Sequence, residues 1–299
     1  GTKVQAGTLI VEKDSQLGAS KTNITLDGGE LKLKDATTVD LSSNGRSIKV
    51  GSNGGALNIG AQNITIDNAI SGNGTFTKKG VGTLTLSGDN STLTGSAATG
   101  KGITVEQGTL AISKNENLGT TAAQLTLKDG TTLDTSLAST DVNLNRQIEL
   151  TSGSVTLKQS QNVIIGQQVT GAANLIKEND KTLTFDGDNS AYAGNILVNA
   201  GTIAVQQNLG SGAVEFKDDV NKTTLQTKAN LTLNNQIKLS GTTVIDTATA
   251  TKATLTKSID DATGKVGTLE KQGTGELQLN VASTYSGGTN VNAGTISVG

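Results

Sequence analysis

The chain has 299 residues and a formal net charge of −2 at neutral pH, and it contains no Cys, His, Pro, Met or Trp. Without Cys or His it has neither a disulfide framework nor the commonest metal ligand and general base. The near-neutral charge gives no reason to expect nucleic acid as a partner. No apolar run approaches the ~18 residues of a membrane span, and without an initiator Met we expect a fragment or a matured segment.

The composition also limits the kind of core. Aromatic residues make up 2% of the chain, whereas a thick globular core normally relies on large aromatic side chains. The apolar residues are almost all Leu, Ile, Val and Ala, which favours a thin, regular core of stacked short strands. The absence of Pro argues against disorder and for central strands, because Pro cannot donate a ladder hydrogen bond.

Short strands with a two-residue period are predicted along the chain. Apolar residues alternate with Thr, Lys, Asn or Gln, which places them on one face of a strand. The clearest pairs, in chain order, are Ile24/Leu26, Leu31/Leu33, Ile64/Ile66, Leu84/Leu86, Leu231/Leu233 and Leu277/Leu279. Gly beside Asn or Asp marks the corners between strands, because Gly tolerates positive φ. These corners are 27–29, 53–55, 129–130 and 187–189.

A large internal repeat is also present. The phrase Ala-Gly-Thr-Leu/Ile occurs at 6–9, 200–203 and 293–296, with Gln in place of Ala at 107–110. A Leu-Gly pair follows three of these copies, at 17–18, 118–119 and 209–210. We therefore predict about three large repeats, 1–100, 101–194 and 195–299, within one segment spanning 1–299. Because 1–8 and 288–295 match in phase, we expect this segment to belong to a longer array.

Two folds share this pattern. Antiparallel hairpins would give a sandwich or a meander, and coils that turn the same way would give a β-helix. Very short strands, corners on both sides and a multi-coil repeat favour the second. We predict an all-β, right-handed parallel β-helix (β-solenoid), shaped as an elongated rod, with about 20 residues per coil.

The last repeat resembles the passenger-associated repeat of bacterial autotransporters, which are type V secretion proteins. Residues 273–279 read Gly-Thr-Gly-Glu-Leu-Gln-Leu, residues 284–289 read Thr-Tyr-Ser-Gly-Gly-Thr, and 293–296 close with Ala-Gly-Thr-Ile. Weaker copies run over 80–110 and 181–203. Residues 280–282 depart from the pattern, which predicts a different turn there.

The resemblance implies several properties. Such passengers are carried by a C-terminal outer-membrane β-barrel, which this chain does not contain, and are displayed on the bacterial surface or secreted. The repeat is found in adhesins, toxins and stalks. We therefore expect a surface-displayed or secreted passenger segment that acts as an adhesin or structural stalk. A secreted effector or toxin that engages a host-cell receptor is the first alternative, and a glycan-active β-helix enzyme is the second.

Candidate chemistry is sparse. The acidic pairs Asp218-Asp219 and Asp260-Asp261 would face opposite ways on a strand, so neither forms a ready carboxylate dyad, and we interpret both as solvated turn residues. Ser286 lacks a His base and a nucleophile elbow. We predict no enzyme, and no catalytic, cofactor-binding or metal-binding residue.

Basic and aromatic residues recur at matching places. Lys78-Lys79, Lys177-Glu178 and Lys271 lie near Gly-rich corners, where we expect a solvated face, with a receptor or glycan contact as the alternative. Tyr192 and Tyr285 occupy equivalent positions, where packing at a corner is favoured over stacking on a sugar. The predicted partners are a host-cell or matrix protein or glycan and the β-barrel of the full-length protein, without nucleic acid, and the chain is expected to be a monomer.

Overall fold

A computed structural model describes residues 1–19, 21–39, 41, 45–217 and 222–299. The chain divides into two compact units, residues 1–155 and 156–299. Within the described residues the regular structure is almost entirely β-strand, with two short 3-10 turns at Asp14–Leu17 and Asn115–Leu118. The division into three large repeats stays a prediction.

The first unit contains the strands up to β16 and the beginning of β17. They are β1 Thr2–Val4, β2 Thr8–Lys13, β3 Ile24–Leu26, β4 Glu30–Thr38, β5 Ile48–Val50, β6 Gly55–Asn58, β7 Ile64–Ile66, β8 Ile70–Gly72, β9 Phe76–Lys79, β10 Thr83–Leu86, β11 Lys101–Val105, β12 Thr109–Ile112, β13 Gln124–Leu127, β14 Thr132–Asp134, β15 Val142–Leu144, β16 Ile148–Leu150 and β17 Ser154–Lys158.

The second unit contains the strands from β18 onwards. They are β18 Val163–Ile165, β19 Val169–Gly171, β20 Asn174–Lys177, β21 Thr182–Phe185, β22 Ile196–Val198, β23 Thr202–Val205, β24 Val214–Phe216, β25 Thr223–Thr227, β26 Leu231–Leu233, β27 Ile237–Leu239, β28 Gly241–Thr247, β29 Lys252–Leu255, β30 Ile259–Asp261, β31 Gly267–Gln272, β32 Glu276–Leu279, β33 Thr289–Val291 and β34 Thr295–Val298.

Each unit is a parallel β-solenoid. In the first unit the strand orders are β1-β3-β5-β8, β7-β10-β12-β14 and β2-β4-β6-β9-β11-β13-β16. In the second they are β20-β22-β24-β27-β30, β18-β21-β23-β25-β28-β31-β33 and β26-β29-β32-β34. Ladder partners are parallel and lie about 18 to 27 residues apart in sequence. The prediction of an all-β parallel β-helix is therefore confirmed, and antiparallel hairpins are wrong as an account of these strands.

The core of each unit consists of inward aliphatic side chains stacked from coil to coil. Leu84 and Leu86 are fully buried and pair with Leu110 and Ile112 of the next coil. The other predicted inward pairs also lie on strands, with Ile64 and Leu279 half-buried and the rest buried. Stacking like residues at the spacing between strands fills the core without large aromatic rings.

The predicted corners use Gly in two different ways. Gly28, Gly54 and Gly130 have φ of +104°, +72° and +70°, a left-handed conformation that other residues rarely adopt. Gly187 is needed for space, because a Cβ added there would lie 2.4 Å from the carbonyl carbon of Gln167 in the preceding coil.

Candidate functional site

Three of the recurrent lysines are inside the solenoid rather than on a solvated face. Lys78, Lys177 and Lys271 are fully buried, so the interpretation of these residues as solvated is wrong. Their neighbours Lys79 and Glu178 do lie at the surface and are half-buried. Lys78 shares the inward face of β9 with Phe76, and alternation along the strand turns Lys79 outward.

The Lys78 ammonium compensates for its burial by donating to backbone carbonyls. Its Nζ lies 2.5 Å from the carbonyl oxygen of Gly80, 2.7 Å from that of Gly82 and 2.7 Å from that of Gln107. Burial lowers the pKa of Lys78 to about 8. A cation without a carboxylate partner is tolerated here because three acceptors match its three donors.

The two lysines of the second unit have the same arrangement. The Lys177 ammonium donates to Glu178, Asn179 and Ala200 carbonyls at 3.3, 2.6 and 2.8 Å, and burial lowers its pKa to about 8.

The Lys271 ammonium donates to Gln272, Gly273 and Ala293 carbonyls at 2.5, 2.8 and 3.3 Å. Burial lowers the pKa of this lysine as well. The recurrence of Lys at one repeat position therefore reflects an interior contact.

Two further buried cations are arginines whose burial the sequence analysis does not predict. Arg46 and Arg146 are fully buried, and each donates to the carbonyl of the Gly in a Leu-Gly pair, Gly18 at 2.8 Å and Gly119 at 3.1 Å. Arg46 also binds both carboxylate oxygens of Asp14, each at 2.9 Å. The signal in the sequence was an Arg two residues before Ile48 and Ile148, in two copies.

Asn235 occupies the corresponding place in the second unit. Its amide donates to the carbonyls of Gly210 at 3.2 Å and Gly212 at 2.6 Å. Gly210 belongs to the third Leu-Gly pair. The loop beneath Asn235 runs over 206–213, whereas the loops beneath the arginines run over 14–23 and 113–123. The side chain that binds the shorter loop is therefore the shorter one, Asn instead of Arg.

A buried Asn side chain is hydrogen-bonded to the backbone at the next corner of the repeat. The Oδ1 atoms of Asn90 and Asn189 accept from the backbone N–H of Ile70 at 2.6 Å and Val169 at 2.7 Å. In the last copy Ser283 Oγ accepts from Ile259 N–H at 3.1 Å instead. A hydroxyl thus replaces the carboxamide at Ser283, one residue beyond the predicted departure at 280–282, which stays a prediction.

The tyrosines differ from each other. Tyr192 is fully buried, and its hydroxyl donates to the carbonyls of Ala173 at 2.8 Å and Asn195 at 3.0 Å. Burial raises its pKa. Packing at a corner is confirmed for Tyr192, whereas Tyr285 is half-buried with its hydroxyl 2.5 Å from that of Thr289.

The acidic pair Asp260-Asp261 ends strand β30, so its assignment to a turn is wrong. Asp260 accepts from Ser258, Thr284 and Gln236 side chains at 2.6 to 2.7 Å. Burial opposes its ionisation, but these hydrogen bonds outweigh burial and lower its pKa.

Asp261 has a separate set of donors. It accepts from the Ser286 hydroxyl at 2.6 Å and from the Gly267 N–H at 2.6 Å, and the Ser286 contact lowers its pKa. The two carboxylates therefore serve different hydrogen bonds. Asp218-Asp219 lies outside the described residues.

The outward face of the first unit carries a polar surface that we call the polar face. It consists of the outward side chains of β4 as far as Lys34 and of β6, β9, β11, β13 and β16, which lie side by side in one sheet, together with Glu106 and Lys128, which directly follow β11 and β13. Ion pairs join different coils on this face: Lys79–Glu30 at 2.9 Å, Lys101–Glu149 at 2.7 Å and Lys128–Glu106 at 2.7 Å.

A groove crosses this polar face. It is lined by small residues, among them Gly28, Gly55 and Ala56, and by the charged residues Glu30, Lys79 and Glu106. The Lys79 contact helps to lower the pKa of Glu30 against the effect of burial. Charges of both signs beside small residues can bind polar or charged groups of a partner.

In the part of the chain that the structure describes, no helix is long and apolar enough to cross a membrane. The same residues contain no group of three or more acidic side chains placed to hold a metal ion.

Comparison with known proteins gives two positive results. A family model for the passenger-associated transport repeat matches residues 76–112, 175–205 and 269–298. The chain is also 40% identical over 114 residues to the adhesin BmaC autotransporter of Brucella suis biovar 1 (strain 1330). That alignment covers 38% of this chain and 3% of the relative, so the chain spans only a small part of that protein. No solved structure matches the chain.

Proposed function

We propose that the chain is an adhesive segment of an autotransporter passenger, displayed on the bacterial surface or secreted, because it carries three passenger-associated transport repeats and is similar to an autotransporter adhesin. It binds a partner through the polar face of its first unit, and the solenoid coils serve as the rigid support of that face. The whole-protein role of the relative named as an adhesin supports this proposal, and the partner is a host-cell or matrix protein or glycan.

The observation that carries the proposal is the fixed array of side chains along the polar face. Lys79, Glu106 and Glu149 are each ion-paired with a residue of another coil, and the Glu149 carboxylate also accepts from Gln124 and Thr126 at 3.0 Å. Side chains that are already ordered lose little conformational entropy on binding. A continuous sheet face therefore offers a preorganised contact surface without any moving part.

Binding without catalysis is supported by the state of the carboxylates. Among the described residues, each Asp or Glu whose pKa departs from its ordinary value has it lowered, as at Glu30, Glu149, Asp260 and Glu270. A carboxylic acid that protonates a leaving group in glycan cleavage needs a raised pKa instead. This supports our proposal that the chain binds its partner and does not cleave glycans.

The test uses the purified chain on immobilised matrix proteins, a glycan array and host cells. The variant Lys79→Gln/Glu106→Gln removes two of the charges that line the groove. We expect it to weaken binding about tenfold or more, because charges at the centre of an interface contribute most.

The matched control is Lys252→Gln/Glu276→Gln in the second unit. It removes an ion pair of the same kind, with an N–O distance of 3.0 Å, and should leave binding within about twofold. Equal loss in both variants, or binding to none of the three panels, would contradict the proposal. A dose-dependent response of the host cells at low concentration would favour a secreted effector instead.

A further inference from the structure

Each of the three buried lysines joins two consecutive coils. The Lys78 ammonium binds the carbonyls of Gly80 and Gly82, in the corner that follows its own strand, and the carbonyl of Gln107, one coil further on. For Lys177 the distant acceptor is Ala200, and for Lys271 it is Ala293. In all three cases the distant acceptor is the residue directly before the Gly-Thr of the repeated phrase.

That Gly explains why the two corners meet at one point. Gly108, Gly201 and Gly294 have φ of +71°, +75° and +69°. A Cβ added at Gly108 would lie 2.5 Å from the Val81 carbonyl oxygen, and one at Gly294 would lie 2.4 Å from that of Gly275. The left-handed Gly therefore lets the turn approach the preceding corner closely, with the carbonyl before it directed at the ammonium.

The three acceptors of each ammonium become available together only when both corners are formed. A carbonyl oxygen carries no net charge, so one or two of them compensate poorly for a buried cation. The third acceptor is supplied by a different coil. Opening either corner alone would therefore leave the cation and the remaining carbonyls buried without sufficient partners.

The family matches coincide with this contact. They begin at 76, 175 and 269, two residues before Lys78, Lys177 and Lys271, and they extend past the corresponding Gly-Thr in each copy. The matched span is thus the lysine, its corner and the turn that it binds in the next coil.

We propose that each of these lysines couples the two corners that it binds, so that both corners open and close as one cooperative unit. Each passenger-associated repeat is then the smallest block of the solenoid that unfolds as a whole. The proposal rests on interior contacts and is independent of the adhesive role of the polar face.

Native-state hydrogen exchange of the whole chain tests it. Two informative amides are Gly82 N–H, in the first corner, which donates to the Gly60 carbonyl at 3.0 Å, and Thr132 N–H, which donates to the Gly108 carbonyl of the second corner at 3.0 Å. In the unmodified chain we expect both corners to exchange with one opening free energy. In Lys78→Met the two should separate, with exchange of the less stable corner faster by about 10- to 100-fold.

Lys79→Met is the matched control, since it removes the adjacent lysine of the same strand from the surface. It should leave the two corners coupled. Amides of the first unit outside this repeat, such as Ile24 N–H, which donates to the Ser47 carbonyl at 2.9 Å, report whether the variant folds. If Lys78→Met does not fold, the unmodified chain still decides, because two different opening free energies at the corners would overturn the proposal. Uncoupling by Lys79→Met to the same extent would overturn it as well.

Discussion

Lys78 and Lys79 are adjacent in one strand, yet the Lys78 ammonium lies inside the coil against three carbonyl oxygens and the Lys79 ammonium lies outside, 2.9 Å from Glu30. The same residue type is thus an interior structural cation at one position and half of a surface ion pair at the next. Burial lowers the pKa of Lys78, whereas the Glu30 carboxylate raises that of Lys79.

The first prediction concerns alkaline pH. The pKa of Lys78 and of Lys177 is about 8 in the folded chain and about 10.4 in the unfolded chain. Between these values the unfolded state binds more protons, so the free energy of unfolding rises as pH increases from about 8 to about 10.4. The rise is at most about 1.4 kcal/mol per pH unit for each lysine. The neutral amine still donates two hydrogens, so the corners persist.

Urea denaturation at a series of pH values measures this slope. The slope should decrease in Lys78→Met and persist in Lys79→Met, because the pKa of Lys78 is lowered whereas that of Lys79 is raised. Stability that falls steadily across this window in the unmodified chain would show that the carbonyl contacts outweigh burial and raise the pKa.

The second prediction concerns acid. Glu270 is nearly buried and accepts from Lys222, Gln272 and Asn292 at 2.5 to 2.8 Å. The Lys222 contact is the main cause of its lowered pKa. The stabilisation that ionised Glu270 provides is present above the ordinary pKa of Glu. It is lost as the pH falls through the lower pKa of the folded chain. Glu270→Gln should therefore reduce the acid sensitivity of the second unit, measured by hydrogen exchange between about pH 5 and 3.

The matched comparison for acid is Glu178→Gln. Glu178 also accepts from an Asn, with Asn199 Nδ2 2.8 Å away, but it has no lysine partner of the Lys222 kind. Equal changes in acid sensitivity for the two variants would contradict the role given to Lys222.

The third prediction compares the two tyrosines. Tyr192→Phe removes a hydroxyl that donates to two buried carbonyls and should lower the free energy of unfolding by about 1 to 2 kcal/mol. Tyr285→Phe removes a hydroxyl at the surface and should cost less than about 0.5 kcal/mol. Thermal or urea unfolding of both variants measures the difference, and equal costs would refute the assignment of different environments.

The fourth prediction concerns hydroxyls inside the second unit. Thr227 and Thr247 are ladder partners in consecutive coils, both fully buried. Their hydroxyls lie without a hydrogen-bond partner among the described residues. Thr→Val at either position keeps the shape and removes an uncompensated polar group, so each variant should stabilise the chain by about 1 kcal/mol.

Thr223→Val is the control for the buried hydroxyls. It lies on the same strand as Thr227 and is equally buried, but its hydroxyl donates to the Lys217 carbonyl at 3.2 Å. This variant should lose stability, by about 0.5 to 1.5 kcal/mol. A loss at Thr227 as large as that at Thr223 would contradict the prediction.

The strands were predictable from sequence because a two-residue period directly reports which side chains face inward. Leu84 and Leu86 illustrate this, since each aliphatic residue is separated from the next by one Thr. The same rule would have placed Lys78 inside, in phase with Phe76. The charge of a lysine favours solvent exposure, but here three backbone carbonyls compensate for the burial of one ammonium.

The polar face could not be derived in the same way. Lys79 and Glu30 are 49 residues apart in sequence, and their contact depends on the lengths of the loops between several coils. Those lengths vary, so residue spacing alone does not give the register of one coil on another. The burial of Arg46 could not be predicted for a related reason. Its acceptors lie in the loop at 14–23, and they come close to the guanidinium only when the coils are stacked.

The exchange of Arg46 and Arg146 for Asn235 has an evolutionary consequence. The loop that contains each Leu-Gly pair can change in length, provided that the interior side chain bound to it changes in length as well. The strands on either side then keep their alignment. This corner is therefore a natural site for insertions and deletions. New surface segments grafted here, with an Arg beneath a long loop or an Asn beneath a short one, should diversify the exterior of the passenger without disturbing its core.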